Sequence, residues 1–152
     1  MSEFDVNFPD DFMGGLLNTD AEEICVEALK NAAPIMEQSM KHSARAAVLH
    51  TGESEMVNSI KATKPKKTKD GNAYIVNIGP TGKSEHSYYD RKSGKKNKYK
   101  VSNALKAIWK EYGIAGKQPA RPFIANATRN AEEAVVSKMQ ETYRRETQNE
   151  SE

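Results

Sequence analysis

The 152-residue sequence predicts a small α+β protein, with two long helices packed on a small antiparallel sheet that includes a β-hairpin. Apolar residues recur at helical spacing near both ends of the chain, whereas they alternate at strand spacing only in the middle, over 72–79. Because 37% of the residues are hydrophobic and 29% are charged, we expect a thin core. We therefore predict one domain over 19–146, preceded by an extended arm (1–18) and followed by a disordered tail (147–152).

The predicted arm carries aromatic residues among acidic ones and shows neither helical nor strand period. Exposed aromatic side chains need a surface on which to bury. We expect them to pack either on the core of the same chain or on a neighbouring subunit. The residues that we assign to this subunit or partner interface are Phe4, Phe8, Phe12, Asp10 and Asp11.

The first helix is predicted over about 20–47. Thr19 and Glu22 have the spacing of a capping box, and apolar residues from Ala21 to Met40 then recur at helical spacing. Pro34 lacks an amide hydrogen, so it should bend this helix or divide it in two. Cys25 lies in the apolar stripe and is expected to be a small core residue.

The strongest strand signal is over 72–79, where Tyr74, Val76 and Ile78 share one face. The preceding residues 69–72 supply the turn, so 58–66 should pair with 72–79 as a hairpin. Residues 80–100 are polar and basic, and we expect a long projecting loop there.

Two more helices are predicted in the last third of the chain. Apolar residues at helical spacing begin at Ala104 and stop at Gly113. Pro122 is the expected first residue of a final helix, because proline is favoured at that position, and the apolar stripe ends near Arg145.

The charges are strongly segregated along the chain. Residues 1–40 contain nine acids and one base, Lys30, whereas 61–100 contain twelve Lys and Arg against three acids. Opposite charges separated in this way favour head-to-tail contact between copies. No apolar run approaches the roughly 18 residues of a membrane span and the start of the chain is acidic, so we expect neither membrane insertion nor a secretory signal. A single cysteine is suited to a reducing cytoplasm.

We expect no catalytic, cofactor-binding or metal-binding residues. Residues 79–84 resemble the end of a phosphate-binding loop, but Asn77 stands where that loop needs glycine, and no apolar helix stripe follows. The three histidines and Cys25 lack the close spacing of zinc ligands.

The lysine-rich middle of the chain could contact nucleic acid. Lysines neutralise phosphates, and tyrosines can stack on exposed bases. A small DNA-binding protein is therefore the alternative function, although a solvated loop would have the same composition. The basic residues concerned are Lys64, Lys66, Lys67, Lys92, Lys95, Lys96 and Lys98, with Tyr88, Tyr89 and Tyr99 between them.

Three blocks of the sequence, in their order, resemble a known family. The first runs from Thr51-Gly52 to Ser59-Ile60-Lys61, and the second is Asn77-Ile78-Gly79-Pro80. The third is the helix that closes in Glu111-Tyr112-Gly113, followed by Pro119-Ala120-Arg121-Pro122-Phe123. Over about 20–145 the chain resembles the tail-component family of tailed bacteriophages and prophages, which act as neck or tail-completion proteins. Members usually carry threonine where this chain has Ile114.

The resemblance implies a non-enzymatic virion protein, made in the cytoplasm of the host bacterium. It implies a homo-oligomeric ring, expected to be a hexamer, at the head-to-tail junction around the DNA channel. Its partners would be a head-completion or connector protein and a tail terminator or tube protein. The basic loop would face either the DNA or the acidic stretch of the next subunit. A structural role in the turn between the last two helices is expected for Gly113, Pro119, Arg121, Pro122 and Phe123.

Overall fold

The computed structural model describes residues 21–48 and 54–149. The predicted arm and its interface residues Phe4, Phe8, Phe12, Asp10 and Asp11 lie outside these ranges. The described elements follow in the order α1 (Ala21–Ala47), α2 (Ser54–Asn58), β1 (Ile60–Ala62), β2 (Lys66–Lys67), β3 (Tyr74–Ile75), β4 (Ile78–Pro80), β5 (Lys83–Asp90), β6 (Lys95–Ser102), α3 (Asn103–Tyr112) and α4 (Phe123–Asn149). The predicted α+β class, with a long helix at each end of the described chain, is confirmed.

Helices α1 and α4 form the largest contact between elements and hold most of the core. They are antiparallel, because Asn31 lies opposite Thr142 while Ser39 donates a hydrogen bond to the carbonyl of Ala127. Buried side chains recur at every fourth position in both helices, and the many alanines among them let the backbones approach closely. These residues are Ile24, Ala28, Ala32, Met36, Met40 and Ala44 in α1, and Phe123, Ala127, Ala131, Val135 and Met139 in α4.

Both long helices differ slightly from their predicted form. Helix α1 continues through Pro34 without being divided, and this proline lies on the exposed side of the helix. Helix α4 continues past Arg145 to Asn149, so the predicted disordered tail is helical at 147–149. The Thr147 hydroxyl donates to the carbonyl of Tyr143 at 2.9 Å, which supports this last turn.

The predicted pairing of 58–66 with 72–79 is confirmed. Strand β1 pairs antiparallel with β4, and β2 pairs antiparallel with β3. Between the two short ladders, the amide of Thr63 donates to the carbonyl of Asn77 at 2.8 Å, so they form one ribbon. Gly71 provides the left-handed residue of the turn, with φ of 75°.

The prediction of a projecting loop over 80–100 is wrong, because β5 and β6 of this segment form a second hairpin. Eight cross-strand pairs join Lys83–Asp90 to Lys95–Ser102. The Asp90 carboxylate accepts hydrogen bonds from the Lys92 amide and the Ser93 hydroxyl, and Gly94 then adopts φ of 67°. The backbone hydrogen bonds between β5 and β6 hold the hairpin together without a continuous apolar face. The hydrophobic pattern of the sequence therefore did not predict these two strands.

The β1 end of the first ribbon is tied to α1 through the carboxylate of Glu37. Glu37 accepts a hydrogen bond from the Lys41 ammonium at 2.6 Å and another from the backbone amide of Ala62 at 2.9 Å. These two bonds, that of Lys41 first, lower the pKa of Glu37 from its ordinary value of 4.5. The negative charge of Glu37 therefore contributes to the attachment of β1.

The attachment predicts a dependence of stability on pH. Because the folded pKa of Glu37 is lowered, its contribution is present above the unfolded pKa near 4.5 and is lost as the pH falls through the folded value. Chemical denaturation from about pH 6 to about pH 3 should therefore show a smaller loss of stability in Glu37→Gln than in the parent chain. Identical pH dependence of the two proteins would contradict this assignment.

The core position of Phe123 gives a second prediction. Its side chain is 1% exposed, so Phe123→Ala should lower the free energy of unfolding by about 3–5 kcal/mol. Tyr112→Ala is the matched control, because this aromatic side chain is 68% exposed. The control should cost less than about 1 kcal/mol in denaturant titration, since an exposed side chain leaves no cavity. Similar losses of stability in both variants would contradict the buried position of Phe123.

Candidate functional site

Helix α3 presents its apolar side to solvent and its polar side to the protein. The predicted helix over 104–112 is confirmed, but Leu105, Ile108 and Tyr112 are 41%, 51% and 68% exposed. We call these three residues the outer face of α3. The buried side carries Ala107 together with polar residues, namely Asn103, Lys106, Lys110 and Glu111. An exposed apolar helix face on a small protein is typical of an interaction surface.

The Lys106 ammonium holds the start of α3 against the second hairpin. Lys106 is 6% exposed, and its Nζ donates to the Ser84 hydroxyl at 2.6 Å and to the carbonyl of Glu85 at 2.7 Å. Asn103 adds a bond from its side-chain amide to the carbonyl of Thr81 at 2.7 Å. Because buried polar groups are costly when left without partners, this network fixes the base of the hairpin relative to α3.

The Glu111 carboxylate holds the end of α3 against the start of α4. Its two oxygens accept hydrogen bonds from the backbone amides of Ile124 at 2.8 Å and Ala125 at 3.1 Å. These amides belong to the first turn of α4, where backbone N–H groups have no acceptor within their own helix. Glu111 thus provides the cap of α4 from a different helix, with its negative charge at the positive end of the helix dipole.

The turn between α3 and α4 depends on a glycine. Gly113 has φ of 77°, and a Cβ placed there would lie 2.7 Å from both the Ala120 amide nitrogen and the Gln118 carbonyl oxygen. Of the other turn residues proposed from the sequence, Phe123 is buried, Arg121 is half-buried, and Pro119 and Pro122 are exposed. The Arg121 amide also donates to the carbonyl of Lys110 at 2.6 Å.

One face of the second hairpin is aromatic and continues to α3. His86 and Tyr99 are cross-strand partners with ring centroids 5.4 Å apart, and Tyr88 lies 5.6 Å from Tyr99. His86 also contacts Trp109 of α3 edge-on at 5.5 Å. We call His86, Tyr88 and Tyr99 the aromatic face, and it lies next to the helix that bears the outer face.

The opposite face of the hairpin is rich in lysine. Strand alternation places Lys83, Lys96, Lys98 and Lys100 together there, and we call them the lysine face. All four are exposed, and Tyr89, which is 66% exposed, lies among them. Lys98 forms an ion pair with Glu85 at 2.8 Å, which lowers the pKa of Glu85 and raises that of Lys98. The face nonetheless carries an excess of positive charge.

The basic residues proposed from the sequence are divided between two ribbons. Lys64, Lys66 and Lys67 belong to the first ribbon, where Lys67 pairs with Glu22 near the start of α1. Glu22 also accepts a hydrogen bond from the Tyr74 hydroxyl at 2.8 Å, and these bonds lower its pKa. The remaining four residues lie on the second hairpin: Lys96 and Lys98 on the lysine face, Lys95 on the same side as the aromatic face, and Lys92 in the turn.

The structure offers little for other chemistry. Lys83 and Ser84 of the phosphate-loop lookalike lie in strand β5, and Cys25 is half-buried with a pKa raised by burial. Within 21–48 and 54–149, no three His, Cys, Asp or Glu side chains are grouped closely enough to hold a metal ion. No helix in these same ranges has both the length and the apolar character needed to cross a membrane.

A comparison with protein families shows which family the chain belongs to. The family model described as "Bacteriophage HK97-gp10, putative tail-component" matches residues 11–113, about two thirds of the chain. The chain belongs to this family of phage tail components. The resemblance drawn from the sequence is therefore confirmed, and the protein is a structural component of a phage tail. No significant match to a curated protein or to a solved structure was found.

The family match places the outer face of α3 and both ribbons within the family domain. It ends at Gly113, so the Pro119 to Phe123 segment on which the resemblance partly rested lies beyond the matched residues. The match begins at residue 11 and so includes the last part of the predicted arm. For this tail component, the matched region contains every element described above except α4.

Sequence reasoning missed the two residues that orient α3. Lys106 and Glu111 lie on the polar side of an amphipathic helix, which is normally the solvent side. No local pattern distinguishes them from surface charges, because their partners are up to 22 residues distant in sequence. The second hairpin did have a signal, namely the Asp90 to Gly94 turn between tyrosine-containing segments.

The Lys106 network predicts a local effect on the hairpin. Lys106→Met keeps the length of the side chain but removes the two hydrogen bonds, and should cost about 2 kcal/mol. Hydrogen exchange should show faster exchange of the β5 and β6 amides, with α1 and α4 less affected. The matched control is Lys100→Met, which changes an exposed lysine of the same hairpin. Equal protection of the hairpin in both variants would contradict the role of Lys106.

Proposed function

We propose that this tail component is a non-enzymatic subunit of the phage neck that completes the tail. In this proposal it forms a ring between the connector proteins of the head and the tail terminator. The observation that carries the proposal is the outer face of α3, where three large apolar side chains are exposed beside a projecting hairpin. A chain with a thin core and such a surface is suited to gain stability from neighbouring subunits.

The distribution of charge supports a ring. The start of α1 is acidic, with Glu22, Glu23 and Glu27, whereas the second hairpin carries seven Lys and Arg against two acids. Two different surfaces with opposite charge favour head-to-tail contact between copies. Contacts of this kind close into a ring when the rotation between subunits allows it. The family resemblance makes six the expected number of subunits.

Electron microscopy of particles made without this chain tests the neck position. When its gene is interrupted in the phage or prophage, we expect DNA-filled heads and tails to accumulate separately, because the subunit that joins them is absent. Restoring the intact gene should restore joined, infectious particles. Intact virions in the absence of the gene would contradict the neck position, and particles lacking tails altogether would place the protein earlier in tail assembly.

The lysine face favours a second candidate function, which is contact with DNA. Its four exposed lysines and Tyr89 lie on one side of a projecting ribbon, which is suited to phosphate contacts and stacking. In a ring, the same face could line the channel or pair with the acidic stretch of the next subunit. An independent DNA-binding protein would lose affinity steeply between about 50 and about 200 mM salt. The part of a ring contact that comes from buried apolar surface would change far less, because apolar burial is not screened by salt.

A further inference from the structure

We propose that residues 1–20 of one copy dock on the outer face of α3 of the next copy. This contact would join neighbouring copies in the ring, and it rests on the self-association proposed above. It identifies the two surfaces that meet: an aromatic, acidic segment at the start of the chain and an apolar helix face beside a basic hairpin.

The receiving surface is apolar and rigidly oriented. Leu105, Ile108 and Tyr112 are each more than two-fifths exposed and lie on one side of a single helix. The opposite side of that helix is held at both ends by the Lys106 and Glu111 hydrogen bonds. Turning the apolar side chains inward would break both networks, so these side chains stay on the surface, where another molecule can cover them.

A concave surface extends the outer face beyond the end of α3. It is lined by Tyr112, Ile114, Gly116, Lys117 and Pro119. Gly113 fixes this shape, because its backbone conformation and close contacts exclude other residues. A shallow, open depression of this kind beside the exposed ring of Tyr112 offers contact area to an aromatic side chain such as phenylalanine.

The sequence of the incoming segment matches this surface in chemistry. Residues 1–20 contain three phenylalanines, five acids, and no lysine or arginine. The second hairpin, which contacts α3 through His86 and Trp109, has seven basic residues and two acids over 83–102. Aromatic side chains can fill the apolar surface while the acids face the lysines, and this charge complementarity orients the contact.

The outer face of α3 and the point where residues 1–20 join the chain lie at opposite ends of the long helix pair. Glu111 attaches α3 to the first turn of α4, and that end of α4 lies beside Ser39 in the second half of α1. The 1–20 segment joins the chain at Ala21, which is 18 residues before Ser39 and so about 27 Å away along the helix. A copy can therefore present its segment at one end and receive that of a neighbour at the other, as a head-to-tail ring requires.

Disulfide trapping between full-length chains tests the proposal. Both partners carry Cys25→Ser, and one then carries Phe8→Cys while the other carries Ile108→Cys and a tag that changes its mass. The mixed proteins are oxidised with glutathione disulfide, and covalent heterodimers are measured on non-reducing gels. Trapping accumulates even short-lived contacts, so the test does not need a stable ring. The control partner is Ser137→Cys, which places the thiol at an exposed position of α4.

We expect the Phe8 and Ile108 pair to form heterodimers roughly 10-fold or more faster than the control pair, because docking raises the effective concentration of the two thiols. A further Leu105→Asp substitution in the receiving chain should remove this advantage, with circular dichroism showing that it still folds. Equal rates for the two pairs would overturn the proposal. So would a chain carrying both cysteines that forms only an internal disulfide at every concentration, since the segment would then dock on its own chain.

The same variants keep this proposal separate from the neck position. Trapping that succeeds while virions form normally without the gene would refute the neck but leave the contact between copies. Trapping that fails while heads and tails accumulate separately would refute this contact but leave the neck.

Discussion

The orientation of α3 depends on two buried charged side chains at its opposite ends, and the rest of the outer surface depends on that orientation. Lys106 binds the base of the second hairpin and Glu111 caps α4, so rotation of α3 would leave an ammonium, a carboxylate and two backbone amides without partners. Because leaving such buried groups unpaired costs more than exposing a few apolar side chains, Leu105, Ile108 and Tyr112 face outward. This arrangement is typical of a surface that is completed by another molecule.

The fold separates the helical core from the exposed outer face of α3 and the second hairpin. The core is the antiparallel pair of α1 and α4, whose buried residues at four-residue intervals are mostly alanine and methionine. The first ribbon is attached to α1 through Glu37 and Glu22. The second hairpin and α3 are attached through the hydrogen bonds of Asn103, Lys106 and Glu111, and α3 also contributes Ala107 to the core. The hairpin and the outer face of α3 therefore remain free for contacts that leave the core unchanged.

Much of this fold was predictable because its helices follow the simplest rule, apolar residues at regular intervals. The predictions of the long helices, the first ribbon and the end of α3 at Gly113 were correct within a few residues. The second hairpin was missed because its stability comes from a backbone ladder and a few aromatic contacts. The direction in which α3 faces could not be predicted, since it follows from hydrogen bonds between residues far apart in sequence. The family resemblance was nevertheless correct, because it depends on short sequence blocks in a fixed order and not on the second hairpin or the orientation of α3.

Solvent exposure of the Ile108 methyl groups in solution tests the outward orientation of α3 most directly. In a dilute, monomeric sample labelled at isoleucine methyls, a soluble paramagnetic agent should broaden the Ile108 signal strongly. Ile60, which is 0% exposed, provides the buried reference in the same spectrum. The account predicts strong broadening of Ile108 and little of Ile60. Equal protection of the two residues would mean that the apolar side of α3 is covered within the monomer, and would contradict the account.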